Sequence, residues 1–166
     1  MDKLNRAMLN YEIERKFLVK EAPENVESFP SEEISQGYLL MTKEGTEVRL
    51  RKKGQANFLT IKSGKGMTRH EIEIELLDEQ FDDLWPKTEG QRVEKKRIRI
   101  PMENLIIELD IYHGTLEGLQ TAEAEFKTQD EADAFTPPSW LGREITQDDR
   151  YKNKNLALNG LPSEPE

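Results

Sequence analysis

The chain has no cysteine and only two histidines, His70 and His113. Without cysteine there are no disulfides and no thiolate metal sites, which fits a reducing cytoplasmic setting. With so little imidazole, any bound metal is held mainly by carboxylate oxygen, the ligand set that suits magnesium, manganese or calcium rather than zinc or copper. Long apolar runs are missing as well. No segment approaches the roughly 18 residues needed to span a bilayer, and the opening stretch MDKLNRAMLN is too short and polar for a secretory signal. These absences predict a soluble cytoplasmic protein with no membrane partner. An excess of positive charge is also absent: the formal net charge is -9, which speaks against a general nucleic-acid binder but leaves room for a locally basic pocket.

A length of 166 residues predicts one domain over 1–166, large enough to close a core without staples, with its core at about 10–155 and a tail over 156–166. Segments 11–19, 46–53, 57–62, 69–77, 93–101, 105–112 and 121–127 alternate apolar and polar residues with period two. A weaker eighth covers 34–41. Glycine-bearing turns separate them, KEG at 43–45, KKGQ at 52–55, SGKG at 63–66 and HGTLEG at 113–118, so most connections read as hairpins and the sheet as antiparallel. Short helices are predicted at 24–29, at 79–85 after a capping Asp78, at 130–135, and from Asp148 or Asp149 through RYKNKNLAL.

Sorting the strands by parity gives two faces. One carries Glu12, Glu14, Lys16; Glu47, Arg49, Arg51; Lys62; Glu71, Glu73, Glu75; Lys95, Arg97, Arg99; Glu108, Asp110; Glu123, Glu125 and Lys127. The other carries Ile13, Phe17, Val48, Leu50, Leu59, Ile61, Ile72, Ile74, Ile98, Ile100, Ile107, Leu109, Ile111, Ala124 and Phe126. An antiparallel sheet ordinarily buries its apolar face and leaves charges in water. Here, however, the charges are sorted by strand into acidic pairs (12/14, 71/73, 123/125) and basic pairs (49/51, 97/99). Like charges at i and i+2 are unfavourable unless opposite charges or ions lie between them. An eight-stranded barrel has an interior wide enough for one small ligand, so a charged set pointing inward would line a bore with both signs. Arginine and lysine would clamp phosphate there, and carboxylates would reach phosphate through divalent cations.

The stretch EIERKFL at 12–18 resembles the Glu-x-Glu-x-Lys signature of the CYTH superfamily, the triphosphate tunnel metalloenzymes. GYL at 37–39, EVRLRKK at 47–53, LTIKSG at 59–64, TRHEIEIEL at 68–76, EKKRIRI at 94–100, IELDIYHGTLEGL at 107–119 and AEAEF at 122–126 follow in that family's order. The resemblance spans residues 10 to about 155 and implies a mainly β fold, a closed eight-stranded antiparallel barrel with a few short covering helices and the charged set inward.

Carried over residue by residue, it implies that Lys16, Arg49, Arg51, Lys62, Lys95, Arg97 and, with a weaker match, Arg99 bind a triphosphate. Glu12, Glu14, Glu73, Glu123 and Glu125 would bind metal, two magnesium or manganese ions. The alternation of Glu71, Glu73 and Glu75 fits the motif in more than one step, so Glu71 and Glu75 stay open as ligands. Glu12, Glu14 and Lys16 form the expected catalytic group. Glu108 and Asp110 would orient the basic residues, Tyr38 would stand near a tunnel mouth or pack ordinarily, and Lys152 would close the bore or be solvated.

His70 and His113 are expected outside the site, while Trp85 and Trp140 are expected to cover the outer apolar face together with Phe81 and Leu141. Short helices cannot hide all the outward isoleucines, which predicts a homodimer. The family implies a phosphate-chain substrate. Inorganic triphosphate is the favoured choice, because little aromatic surface is available to stack a base. A nucleoside or thiamine triphosphatase, an adenylate cyclase and a non-catalytic polyphosphate- or nucleotide-binding barrel are the alternatives.

Overall fold

A computed structural model describes residues 13–63 and 70–163. Nine strands form one sheet: β1 (Ile13–Val19), β2 (Ser31–Met41), β3 (Glu47–Lys53), β4 (Ala56–Ser63), β5 (His70–Leu76), β6 (Arg92–Met102), β7 (Leu105–Tyr112), β8 (Gln120–Phe126) and β9 (Leu141–Glu144). Their order across the sheet is β5-β4-β3-β2-β6-β7-β8-β1-β9, and every pairing is antiparallel. Three short helices, α1 (Asp78–Leu84), α2 (Gln129–Ala134) and α3 (Asn153–Asn159), complete the fold.

The sheet is not a closed eight-stranded barrel: it has one strand more and two edges, β5 and β9. A strand offers only two hydrogen-bonding edges. β1 gives one to β8 and the other to β9, and just beyond β9 the Ile145 amide still donates to Lys16 O at 2.7 Å, while the Lys16 amide donates to Thr146 Oγ1 at 2.9 Å. Closure needs that same edge for β5. With it taken, β5 pairs β4 alone and is exposed on nearly every residue. β9 is four residues long and has no alternating pattern to announce it.

The two faces sort as parity predicts. On the apolar side Phe17, Ile98, Ile100, Ile107, Leu109, Ala124, Phe126 and Leu141 form a buried cluster, with Phe135 and Trp140 packed against it. Arg15, the residue between Glu14 and Lys16, lies on this face and ties the cover down. It makes two hydrogen bonds to Glu144, at 2.9 and 2.6 Å, and donates to Ala132 O and Phe135 O. Near the other end α1 and the turn after it pack on β2 and β4, where Phe81 stacks on Trp85 at 5.2 Å. Gly37 is needed at that contact, because a Cβ there would stand 2.6 Å from Thr88 Cβ. Asp78 is the first residue of α1 rather than its cap, and it accepts from Asn57 at 2.6 Å.

After β9 the chain crosses to the charged side. Ile145, Tyr151, Leu156 and Ala157 are buried there against Tyr38, Val93 and Tyr112, so the packed chain runs past residue 155 into α3. The helix expected at 24–29 is a single 3-10 turn at Val26–Ser28.

Candidate active site

Paired residues in an antiparallel sheet point to the same side, so the strand register places the charged set on one continuous wall. Glu14 faces Glu125 and Lys16 faces Glu123. Glu108 stands across from Glu123 and Asp110 from Thr121, while Arg97 lies opposite Asp110 and Arg99 opposite Glu108. On the far strands Glu47 faces Lys62 and Arg49 faces Thr60, and Thr60 and Lys62 in turn face Glu73 and Glu71. The wall encloses a cavity of about 1100 Å³, whose lining includes Glu14, Lys16, Tyr38, Glu47, Arg49, Lys62, Glu71, Glu73, Glu123 and, from the crossing segment, Tyr151, Lys152 and Lys154.

Seven of the expected site residues thus border the cavity. Arg51, Lys95, Arg97, Arg99, Glu75 and Glu125 share its face without lining it. Glu12 lies outside the described residues. His70 and His113 are exposed, and His113 stands 3.5 Å from Glu33, away from the cavity lining. Lys152 does reach the cavity, paired with Asp149 at 2.7 Å.

The floor, from β6 to β8 and on to β1, is a closed network of opposite charges. Lys95 contacts Asp110 at 2.6 Å, and Arg97 donates to both Asp110 oxygens, at 2.7 and 2.8 Å, and to Glu108 at 2.5 Å. Lys16 pairs with Glu123 at 2.9 Å and donates to Tyr151 O at 3.2 Å. Asp110 is fully buried. Burial pushes its carboxyl up, but Lys95 and Arg97 override that and hold it far below the usual carboxylate range. Glu123 is likewise held low against its burial by Lys16, Lys95 and Arg97. Burial pulls the Lys16 ammonium down, yet Tyr112, Glu123 and Asp110 raise it well above the ordinary lysine value.

The opposite wall differs. Arg49 and Arg51 sit side by side on β3, and the Nε atom of each is buried without a hydrogen-bond partner. Burial lowers the Arg51 guanidinium, and the neighbouring Arg49 and Arg97 lower it further. Neither arginine is ion-paired with a described residue, and only the fields of Glu73 and Glu108 offset the charge of Arg51; a phosphate chain would supply a direct counter-charge through bidentate contacts.

Among the described residues, no group of three or more Asp, Glu or His is close enough together to hold a metal ion as it stands. The donor chemistry nevertheless suits a hard divalent cation, since Glu14 and Glu125 face one another and Glu14, Glu73 and Glu123 line the same cavity. Thr60, fully buried, donates to Glu73 at 3.2 Å and orients it. Parity had already put Glu47 on this face, but its role emerges only from its 2.9 Å contact with Lys154 of α3. Thr60 and Gln36 carry no charge, so nothing in the pattern marked them.

A family model, the CYTH domain, matches residues 10–156. The inorganic triphosphatase of Nitrosomonas europaea is 47% identical over 150 residues, covering 89% of this chain and 97% of that protein. The inorganic triphosphatase of Acetivibrio thermocellus is 36% identical over 151 residues, covering 89% and 94%. A solved inorganic triphosphatase, 44% identical, superposes with a TM-score of 0.76 over 92% of this chain and 97% of its own. The same fold extends to a Bacillus halodurans protein at 17% identity and a TM-score of 0.53. With an ordered charged face matched along nearly its whole length, the chain belongs to the CYTH domain family.

Proposed function

We propose that the chain hydrolyses inorganic triphosphate to pyrophosphate and phosphate with the help of magnesium or manganese, two ions when fully loaded. The observation that carries this reading is the pair Arg49 and Arg51 on β3, half-buried cations whose Nε atoms are buried without a hydrogen-bond partner, on the same face as the carboxylates that line the cavity. Relatives sharing 47% and 36% identity bear the name inorganic triphosphatase.

Arg49, Lys62 and Lys16 line the cavity and bind the phosphate oxygens there. Arg51, Lys95, Arg97 and Arg99 extend the positive field from the same face. Glu12, Glu14, Glu123, Glu125 and Glu73 hold the metal, with Glu71 or Glu75 as the further ligand on β5. A divalent ion there neutralises phosphate charge and makes water a better nucleophile. The chain's own part is to hold the phosphates extended between two walls, so that the attacked phosphorus and its leaving group stay in line.

Polar and charged side chains dominate the cavity lining, and α3 with Tyr112 and Tyr151 fills one end of the charged side. This suits a bare phosphate chain better than a nucleoside, which needs an apolar slot for its base. No described helix is long and apolar enough to cross a membrane. A cytoplasmic location and a lack of nucleic-acid partners remain part of the proposal. So does a homodimer: Leu40 on β2 at 52% exposure, and Ile72 at 44% and Ile74 at 48% on edge strand β5, lie on the apolar face, and a second copy would cover them.

The test is phosphate release from inorganic triphosphate and from ATP, each with magnesium, with manganese and with EDTA. Metal-dependent release that prefers inorganic triphosphate is expected. A preference for ATP would move the assignment to a nucleotide-specific triphosphatase, cyclic AMP as product to a cyclase, and no turnover in any metal to a binding barrel.

A further inference from the structure

Gln36 and Tyr38 lie two residues apart on the charged face of β2, 3% and 1% exposed. Gln36 Nε2 donates to Tyr38 Oη at 2.7 Å. Arg49, the cross-strand neighbour of Tyr38, sets its positive charge beside that oxygen, and a guanidinium can only donate. The Gln36 contact uses a lone pair of the phenol oxygen, and neither neighbour takes its proton. Among the described residues no acceptor takes it either. Tyr38 borders the main cavity, and a buried hydroxyl proton without an acceptor is costly unless a ligand supplies one. The Gln36 amide has a reason to keep this orientation. Its cross-strand neighbour is Arg51, another pure donor, which favours the amide oxygen on the arginine side and the NH2 group toward Tyr38.

We infer that Gln36 is a positioning residue: by donating to Tyr38 Oη it directs the hydroxyl proton into the cavity, where Tyr38 donates it to an oxygen of the phosphate chain. The inference rests on the triphosphatase reading. Turned over, the same amide would present its oxygen to Tyr38, absorb the proton and leave the substrate without that donor. Burial raises Tyr38 above its ordinary value despite the nearby positive charge of Arg49, so the phenol stays protonated and able to donate at neutral pH.

The experiment compares Gln36→Leu, Gln36→Glu, Tyr38→Phe and the double variant Gln36→Leu/Tyr38→Phe by kcat and KM for inorganic triphosphate with magnesium, after thermal melts show each is folded. Gln36→Leu and Tyr38→Phe should each lower kcat/KM about ten-fold, the loss of one hydrogen bond to a charged group. The double variant should be no worse than Tyr38→Phe alone. Gln36→Glu keeps the shape but accepts the phenol proton, so it should be at least as slow as Gln36→Leu near pH 8 and recover as the pH is lowered and the carboxylate protonates. If Gln36→Leu does not fold, the pH profile of Gln36→Glu carries the test.

Losses that multiply in the double variant, wild-type kcat/KM in Gln36→Leu, or a Gln36→Glu profile parallel to wild type would each overturn the inference while leaving the triphosphatase reading intact. A wild-type chain that releases no phosphate from inorganic triphosphate overturns that reading and the inference with it.

Discussion

The floor of the cavity and its opposite wall are built from the same residue types and end in different electrostatic states. On the floor, Lys95, Arg97, Asp110 and Glu123 each touch an opposite charge. On β3, Arg49 and Arg51 make no ion pair with any described residue, and each keeps a buried, unpartnered Nε. Charges that are already paired have little left to offer a ligand, and removing one partner strands the other in a low dielectric. Unpaired arginines cost stability in the empty protein and recover it when an anion arrives. The buried Lys95, Arg97 and Asp110 of the floor are therefore the part that holds geometry, and the β3 wall is the part kept ready for phosphate.

The largest effect that would break this contrast is on stability. Asp110→Asn leaves Lys95 and Arg97 buried without a counter-charge and should destabilise the chain by about 3–5 kcal/mol, read from urea unfolding. Wild-type stability in that variant would mean that the floor is not a structural network. On the β3 wall the expectation reverses. Arg49→Ala should leave unfolding within about 1 kcal/mol of wild type yet lower kcat/KM for inorganic triphosphate by roughly ten- to a hundred-fold, the worth of a charged hydrogen bond. A variant that loses stability but binds normally would exchange the roles assigned to the two walls.

A pH titration sharpens the comparison without mutation. Asp110 and Glu123 have folded pKa values depressed below their ordinary 3.8 and 4.5. The stability they contribute is present above those ordinary values and is lost as the pH falls through the depressed folded ones. Lys16 is raised above its ordinary 10.5, so its contribution is present below that value and lost as the pH rises through its folded one. The melting midpoint should form a plateau between these limits and fall on the acid side, and Asp110→Asn should flatten that acid fall. An unchanged acid limb would place the titrating carboxylates elsewhere.

The smallest monomer effect is expected at the edge. Ile74→Ser, at 48% exposure on β5, should change monomer unfolding by less than about 1 kcal/mol while weakening self-association in sedimentation velocity. If wild type sediments as a monomer, the exposed Leu40 on β2 and Ile72 and Ile74 on β5 need another explanation.

Much of this site could be read before any fold was known. The alternation that puts Glu14 and Lys16 on one face and Phe17 on the other survives intact, as does the sorting of Arg49 and Arg51 away from Leu50. Gln36, Tyr38 and Thr60 were illegible or ambiguous because their importance lies in one hydrogen bond each, which neither charge nor periodicity reveals. Glu47 was visible as a face residue, but its partner Lys154 sits on a helix more than a hundred residues away.

By itself, the sequence determined which side chains share a face, because successive residues of a strand must point to opposite sides, and which ligand chemistry is possible, because a chain without cysteine and with two histidines has mainly carboxylates to offer a metal. Only the tertiary structure decided that the sheet stays open, and which arginines are left without partners. β9 and β5 compete for the same edge of β1 from opposite sides of the chain, and the pairing of a buried charge depends on which distant strand folds beside it.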